Sequence, residues 1–185
     1  SDVPNAAAMG DATAIRFRMT VPDPAPEPGV PMTIGSLFNN NGLAATCIEL
    51  APQWVIREKE VALGLRAATN IAKLLGMIDG DIAPLDGPAV TFDQGTRAER
   101  IHGVTAPASG LFVENGLETS DHVEQGQPLG HIVSDVDLST VEITAPVAGY
   151  LWQYGCHRDH SDVALPPQHP YADEGDVLAG VMTVA

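Results

Sequence analysis

The octapeptide TAPASGLF, from Thr105 to Phe112, returns almost unchanged as TAPVAGYL, from Thr144 to Leu151. The segments that follow also match, because HVEQGQPLGHIV and YADEGDVLAGVM share one order of glycine, polar and apolar positions. Self-similarity of this kind is typical of one supersecondary unit written twice. The short apolar runs lie between glycines and prolines and show no helical period. Residues 98–185 are therefore predicted to form an all-β domain with an internal repeat.

Each copy of the repeat is expected to contain three strands joined by tight turns. The turns before the third strands fall at Gly126 and Gly175, and the third strands are expected to end at Val133 and Val184. Neither copy can bury its apolar face alone. The two copies are therefore expected to pack about a pseudo-twofold axis.

The second copy of the repeat is longer than the first. Eighteen residues separate Pro107 from Gly126, whereas 28 separate Pro146 from Gly175. Insertions into a repeat usually lie in loops, and loops on a rigid scaffold often carry function. The ten additional residues are therefore expected to form a functional loop.

The inserted residues lie within the sequence YGCHRDHSDVALPPQHPY, which is rich in polar and metal-binding side chains. Tyr154, His157 and His160 are candidates for contact with a substrate. A metal site in the same loop stays an open alternative, because its spacing matches no strong zinc signature. The ligands of such a site would come from Cys156, His157, His160 and His169.

The first half of the chain shows the patterns of an α/β layer. Thr13–Val21 alternates as a half-buried strand does, and the apolar segment Leu43–Leu50 favours a strand buried on both faces. Arg57–Leu75 is predicted to be an amphipathic helix. Its apolar stripe contains Val61, Leu65, Ala68, Ala72 and Leu75.

A connection rich in glycine, proline and aspartate is expected from Met77 to Arg97. Residues 1–97 are thus interpreted as the end of an α/β domain with its linker, and the fold class of the whole chain as α+β.

Composition narrows the classes of partner and the location. The net charge is −15, from 24 acidic and 9 basic residues, and such a surface repels the phosphates of nucleic acids. No run approaches the roughly 18 to 20 apolar residues that span a bilayer. Two cysteines do not suggest a disulfide scaffold. We therefore expect no nucleic-acid partner, no membrane association and a cytoplasmic location.

The duplicated β unit resembles the barrel-sandwich hybrid of biotinyl and lipoyl carrier domains. Carriers of that kind attach their prosthetic group to a lysine on an exposed hairpin, and this chain has no lysine after Lys73. The composition therefore excludes a swinging-arm carrier.

The order of TCIEL, a helix and two AP..G units resembles the C-terminal half of the succinylglutamate desuccinylase and aspartoacylase family, from about Leu43 onward. The resemblance implies a zinc hydrolase that cleaves a small-molecule N-acyl amino acid or a related amide. It also implies that Glu49 is the general base. Judged from the residues alone, Glu49 is the one charged side chain in an apolar segment, and a solvated acid at a strand end is the alternative interpretation.

The zinc ligands that the resemblance implies are absent from the sequence. The family uses a His and a Glu three residues apart followed by a more distant His, but no histidine precedes His102 and no such pair occurs. The chain is therefore expected to be a truncated or split C-terminal portion, inactive alone and without zinc of its own. Association with the missing half, or a homo-oligomer, is expected to complete it.

Proteins with a hybrid β fold have at least two other functions. One is a non-catalytic binding or assembly module with a hybrid β fold. The other is a phosphotransfer protein, but His102, His122 and His131 lack the paired spacing that a phosphate relay needs.

Overall fold

The fold divides into two units, Ser1–Gly95 and Thr96–Ala185, here called unit 1 and unit 2. A computed structural model describes most of the chain. The described residues are 8–9, 12–13, 17–20, 33–50, 56–83, 89–93, 100–157 and 169–184.

Among its described residues, unit 1 has two helices with defined bounds and one pair of parallel strands, and Ala8, Met9 and Ala12 are also helical. The helices are α1 (Ile34–Asn40) and α2 (Glu58–Leu74), and the strands are β1 (Phe17–Thr20) and β2 (Val90–Asp93). The strands pair in register from Phe17 opposite Val90 to Thr20 opposite Asp93. β1 falls within the predicted strand Thr13–Val21, although Thr13 itself lies in a turn. β2 lies inside the segment that was expected to be a connection.

The predicted strand at Leu43–Leu50 is wrong. These eight residues form no helix or strand, and the side chains of Leu43 and Leu50 are 56% and 39% exposed. An apolar segment becomes a buried parallel strand only where neighbouring strands accept its backbone hydrogen bonds. Among the described residues of unit 1, β1 and β2 pair only with each other.

The predicted helix is present, but its apolar stripe does not face a core. α2 begins with the acidic residues Glu58 and Glu60 and carries Lys73 in its last turn, which complements the helix dipole. The positive φ of 66° at Gly76 follows its end. Its buried residues are Ala67 and Asn70, which are not members of the stripe.

The described residues of unit 2 form eight antiparallel strands, so the prediction of a β-rich second half is confirmed. Two of them, β5 and β9, have two residues each and were not expected. The strands are β3 (Ile101–Thr105), β4 (Gly110–Glu114), β5 (His122–Val123), β6 (Pro128–Val133), β7 (Thr140–Thr144), β8 (Gly149–His157), β9 (Tyr171–Ala172) and β10 (Val177–Met182). β6 ends at Val133 as predicted, whereas β10 ends at Met182, two residues before the expected Val184.

The two four-stranded sheets of unit 2 have matching strand orders. One sheet runs β3-β10-β8-β5 and the other β7-β6-β4-β9. The strands β3, β4, β5 and β6 of the first copy are equivalent to β7, β8, β9 and β10 of the second. When each strand is replaced by its equivalent, the order of one sheet becomes the order of the other. Every sheet therefore combines strands from both copies of the repeated sequence.

Reciprocal hydrogen bonds join the two copies at their Ala-Pro segments. The Ala106 N–H donates to the Asp176 carbonyl (2.8 Å), and the Gly175 N–H donates to the Ala106 carbonyl (2.8 Å). The equivalent Ala145 exchanges the corresponding pair with Gln127 (2.9 Å) and Gly126 (2.8 Å). Each Ala-Pro segment is thus fixed by the tight turn of the other copy.

The core of unit 2 lies between the two sheets and contains aliphatic side chains from both copies. Leu129, Val123, Leu151, Leu178 and Val181 are fully buried. Gly149 lies so close to the neighbouring strand that a Cβ atom there would be 2.5 Å from the Met182 carbonyl oxygen. A side chain at this position would collide with the neighbouring strand. This explains the glycine that follows each Ala-Pro segment, Gly110 in the first copy and Gly149 in the second.

Candidate functional site

Glu49 lies in the irregular segment before α2, and its side chain is exposed. Its neighbour Leu50 lies close to the helix, with its Cδ1 3.0 Å from where a Cβ on Gly64 would be. Gly64 therefore allows this segment to approach α2 closely. The exposure of Glu49 agrees with its alternative interpretation as a solvated acid, although no described strand ends at it. The role of Glu49 as general base stays a prediction.

Tyr154 has three hydrogen-bonding contacts inside unit 2. Its hydroxyl donates to the Leu129 carbonyl (2.6 Å), and it lies 3.0 Å from both the backbone nitrogen and the Oδ1 of Asn115. Its ring meets that of Phe112 edge to face, with the centroids 6.2 Å apart. These contacts join β8 of one sheet to β4 and β6 of the other.

Burial raises the pKa of the Tyr154 phenol above its ordinary value, although the backbone hydrogen bond from Asn115 opposes the shift. The phenol is therefore kept neutral and is held as a hydrogen-bonding group between the two sheets. Contact between Tyr154 and a substrate stays a prediction.

At the base of the inserted loop, two of the residues that the sequence singled out, Cys156 and His169, each contact the backbone of Tyr171. Cys156 is buried, and its Sγ lies 3.6 Å from the Tyr171 carbonyl oxygen. His169 accepts a hydrogen bond at Nδ1 from the Tyr171 N–H (3.0 Å). His157 ends β8 with an exposed side chain. His160 lies outside the described residues, so its predicted role is not addressed.

Within the described ranges, no group of three or more His, Cys, Asp or Glu side chains could hold a metal ion. The described residues therefore do not fit a zinc site by themselves, and no catalytic step through zinc follows from them. The described helices also lack the length and apolar character that crossing a membrane requires.

A shallow groove on unit 2 was not foreseen from the sequence. It has a volume of about 320 Å³ and is lined by Asn115, Pro128, Gly130, His131, Thr140 and Glu142. His131 on β6 lies directly opposite Glu142 on β7, which places a carboxylate and an imidazole side by side. The Asn115 side-chain amide donates to the Pro128 carbonyl at the end of the groove (2.5 Å). The groove could not be predicted from the sequence, because sequence patterns do not give the register in which β6 and β7 pair.

Solved structures share the fold of this chain across nearly its whole length. A succinylglutamate desuccinylase/aspartoacylase from Rhodobacter sphaeroides superposes with a TM-score of 0.63 and 21% identity, over 97% of this chain and 49% of its own. The ectoine utilization protein EutE (DoeB) from Ruegeria pomeroyi gives a TM-score of 0.64 at 16% identity, over 97% and 50%. A succinylglutamate desuccinylase/aspartoacylase from Shewanella frigidimarina gives 0.61 at 16% identity, over 95% and 47%.

The resemblance predicted from TCIEL and the AP..G units is thus confirmed at the level of the fold. The chain spans about half the length of these structural neighbours. No protein-family model and no curated protein sequence matches the chain.

Proposed function

We propose that this chain is the C-terminal portion of a zinc-dependent deacylase of the succinylglutamate desuccinylase and aspartoacylase family. In the complete enzyme it would act on the amide bond of an N-acyl amino acid or a related amide. The observation that carries this proposal is the shared fold along 97% of the chain with proteins of that description. The complete enzyme is a hydrolase that releases a carboxylic acid and an amine.

The proposal also assigns a fold to each part of the chain. Residues 1–97 are the end of an α/β domain with its linker, and residues 98–185 are a barrel-sandwich hybrid built from an internal repeat. The matching strand orders of the two sheets and the reciprocal bonds of Ala106 and Ala145 support the repeat. The parallel pairing of β1 and β2 supports the α/β character of the first part.

Glu49 is the general base in this proposal. Its carboxylate takes a proton from the attacking water, whose oxygen forms a bond to the amide carbon. The C–N bond then breaks, and the same proton passes to the departing amine. A general base must lie within hydrogen-bond reach of the water that it activates in a closed site, whereas Glu49 is exposed in this chain. The proposal therefore includes a further part of the enzyme that covers Glu49.

Zinc belongs to the proposal only as the cofactor of the complete enzyme, where it would supply Lewis-acid chemistry. Its ligands would lie outside this chain, because no His in the sequence is followed three residues later by a Glu and no histidine precedes His102. Tyr154, His157 and His160 remain the proposed substrate-side residues, and His157 is the one of them whose described side chain is exposed.

The test compares the variants Glu49→Gln and Glu58→Gln in the complete enzyme. The complete enzyme also contains the half of the structural neighbours that this chain does not cover. Loss of a general base lowers kcat by about 100-fold or more. We therefore expect Glu49→Gln to lose turnover of N-acyl amino acids while it retains the zinc content of the unmodified enzyme. Glu58, exposed in the first turn of α2, is the matched control and should retain turnover. Full turnover by Glu49→Gln would overturn the assignment.

A non-catalytic binding module is the second candidate function, and the groove around His131 and Glu142 is the observation that favours it. Elemental analysis separates the two functions. Zinc at about one ion per completed enzyme supports the deacylase. A completed protein that contains no zinc and hydrolyses no amide favours the binding module.

A further inference from the structure

Two asparagines of this chain are each followed by glycine: Asn41-Gly42 directly after α1, and Asn115-Gly116 directly after β4. Asparagine is a thermolabile residue, and a glycine after it lets the next backbone nitrogen approach its side-chain carbon, because glycine has no Cβ. All four residues are exposed, and the two glycines have positive φ of 74° and 85°. Among the described residues, nothing lies within 4 Å of where a Cβ on either glycine would be. Exposure alone therefore does not distinguish the two pairs.

The fold of unit 2 holds both ends of the Asn115 side-chain amide. Its Nδ2 donates to the Pro128 carbonyl (2.5 Å), and its Oδ1 lies 3.0 Å from the Tyr154 hydroxyl oxygen. Its backbone N–H donates to the same hydroxyl (3.0 Å). Pro128 lies on β6 and Tyr154 on β8, so the amide is released only when β4 separates from strands of both sheets. Such an opening is costly, because Tyr154 packs against the core.

The described contacts of Asn41 are local ones. Its Nδ2 donates to the Leu37 carbonyl (2.7 Å), and its backbone N–H donates to the Phe38 carbonyl (3.0 Å). Both acceptors lie near the end of α1, a helix of seven residues, and their side chains are each 44% exposed. Helices shorter than about 12 residues are marginal in water unless packing supports them. Fraying of one helical turn therefore frees the Asn41 amide at little cost.

We propose that Asn41 is a site of spontaneous deamidation, and that the fold protects Asn115 from the same reaction. The Gly42 backbone nitrogen forms a bond to the Asn41 Cγ and gives up its proton. The Cγ–Nδ2 bond breaks, and the departing nitrogen leaves with that proton as ammonia. The product is a cyclic succinimide. Water then opens the ring at either carbonyl carbon, which gives aspartate or isoaspartate, so water is the one co-reactant.

The reaction changes the end of α1. A carboxylate at residue 41 replaces the amide that donates to the Leu37 carbonyl, and it adds negative charge at the negative end of the helix dipole. Isoaspartate also adds a carbon to the backbone, which alters the separation of the Leu43 N–H from the Phe38 carbonyl that accepts its hydrogen bond (2.9 Å). Deamidation therefore loosens the turn that leads into the segment containing Glu49.

The experiment follows both asparagines in one sample. The whole chain is incubated in mildly alkaline buffer, because loss of the backbone proton is faster there. Samples taken over time are digested with a protease, and mass spectrometry measures aspartate and isoaspartate in the peptides that contain Asn41 and Asn115. We expect Asn41 to convert at least about tenfold faster than Asn115, because Asn115 reacts only after its hydrogen bonds to two strands have broken.

Two controls test whether the fold causes the difference. In guanidinium chloride both pairs lie in an unfolded chain, so their rates should agree within about threefold. In the folded chain, Tyr154→Phe removes the hydroxyl beside Asn115 and should raise the rate at Asn115 at least about fivefold, with the rate at Asn41 unchanged. Tyr150→Phe, on the same strand, should leave both rates within about twofold of the unmodified chain.

Equal rates at the two asparagines of the folded chain would overturn the proposal, and so would faster conversion of Asn115. An Asn41 that stays intact in the folded chain for the time in which it converts in guanidinium chloride would also overturn it. An Asn115 rate that Tyr154→Phe leaves unchanged would overturn the protection by the tyrosine hydroxyl. The comparison of folded with unfolded chain needs no variant, so it remains decisive even where Tyr154→Phe does not fold.

Discussion

Leucines in the two units of this molecule have opposite environments. In unit 2, Leu129, Leu151 and Leu178 are 0% exposed, whereas Leu65 in the middle of α2 is 67% exposed. Both sets lie in regular secondary structure with the appropriate apolar periodicity. The comparison shows that a periodic pattern predicts which face of an element is apolar. Whether that face is buried depends on a second apolar surface that packs against it.

Unit 2 contains that second surface within its own sequence. Because each sheet takes strands from both copies of the repeat, every apolar face meets a matching face. Unit 1 has no such duplication. Its helix presents an ordered apolar face that no described element covers.

The largest expected effect comes from cutting back a leucine in each unit. Leu178→Ala should lower the free energy of unfolding by about 2–5 kcal/mol, because it leaves a cavity in a packed core. Leu65→Ala should change it by no more than about 0.5 kcal/mol in the isolated chain, since the side chain is already mostly in water. Urea unfolding followed by far-ultraviolet circular dichroism measures both. Equal losses in the two variants would mean that unit 1 has a core of its own.

A smaller effect is expected at the contact between the two sheets. Tyr154→Phe removes the hydroxyl that joins Leu129 to Asn115, and should cost about 1–3 kcal/mol because it leaves the carbonyl of the buried Leu129 without this donor. Urea unfolding of Tyr154→Phe beside Tyr150→Phe, a half-buried tyrosine on the same strand, measures this cost. An unchanged unfolding free energy for Tyr154→Phe would show that the hydroxyl does not stabilise the contact.

The same tyrosine gives a pH dependence with a definite sign. Burial raises the pKa of Tyr154 in the folded state, so the folded chain binds this proton more tightly than the unfolded chain does. The resulting stabilisation is fully present below the unfolded pKa of about 10 and is lost as the pH rises through the folded pKa. Unfolding free energies measured between pH 8 and 11 should therefore fall less steeply for Tyr154→Phe than for the unmodified chain.

The sequence predicted the fold of unit 2 well because the relevant interactions are repeated and local. The glycines at Gly126 and Gly175 have positive φ of 78° and 93°, as tight turns require, so their position alone located the turns. The two-residue strands β5 and β9 were missed. Strands of that length have too few residues to show an alternating pattern.

The sequence predicted unit 1 less well because its structure depends on contacts at long range. Leu43–Leu50 is apolar enough for a buried strand, but a parallel strand forms only when its neighbours are in place. α2, by contrast, is held by backbone hydrogen bonds between residues close in sequence, and it was predicted to within one residue at each end.

The candidate site was predictable only in part. Glu49 could be singled out because it is the one charge in an apolar segment, but whether it is covered depends on groups that no pattern within this chain supplies. The close approach of Leu50 to Gly64 and the pairing of His131 with Glu142 depend on three-dimensional packing. A glycine inside a helix was the one available signal for the first of them.

Hydrogen–deuterium exchange on the isolated chain tests the contrast between the two units most directly. Amides of buried core strands exchange only through large openings, whereas those of elements with few buried contacts exchange through small local ones. The account predicts that the amides of α2 exchange at least about 100-fold faster than those of β10. Equal protection of α2 and β10 in the isolated chain would contradict it, because unit 1 would then be stable without a partner.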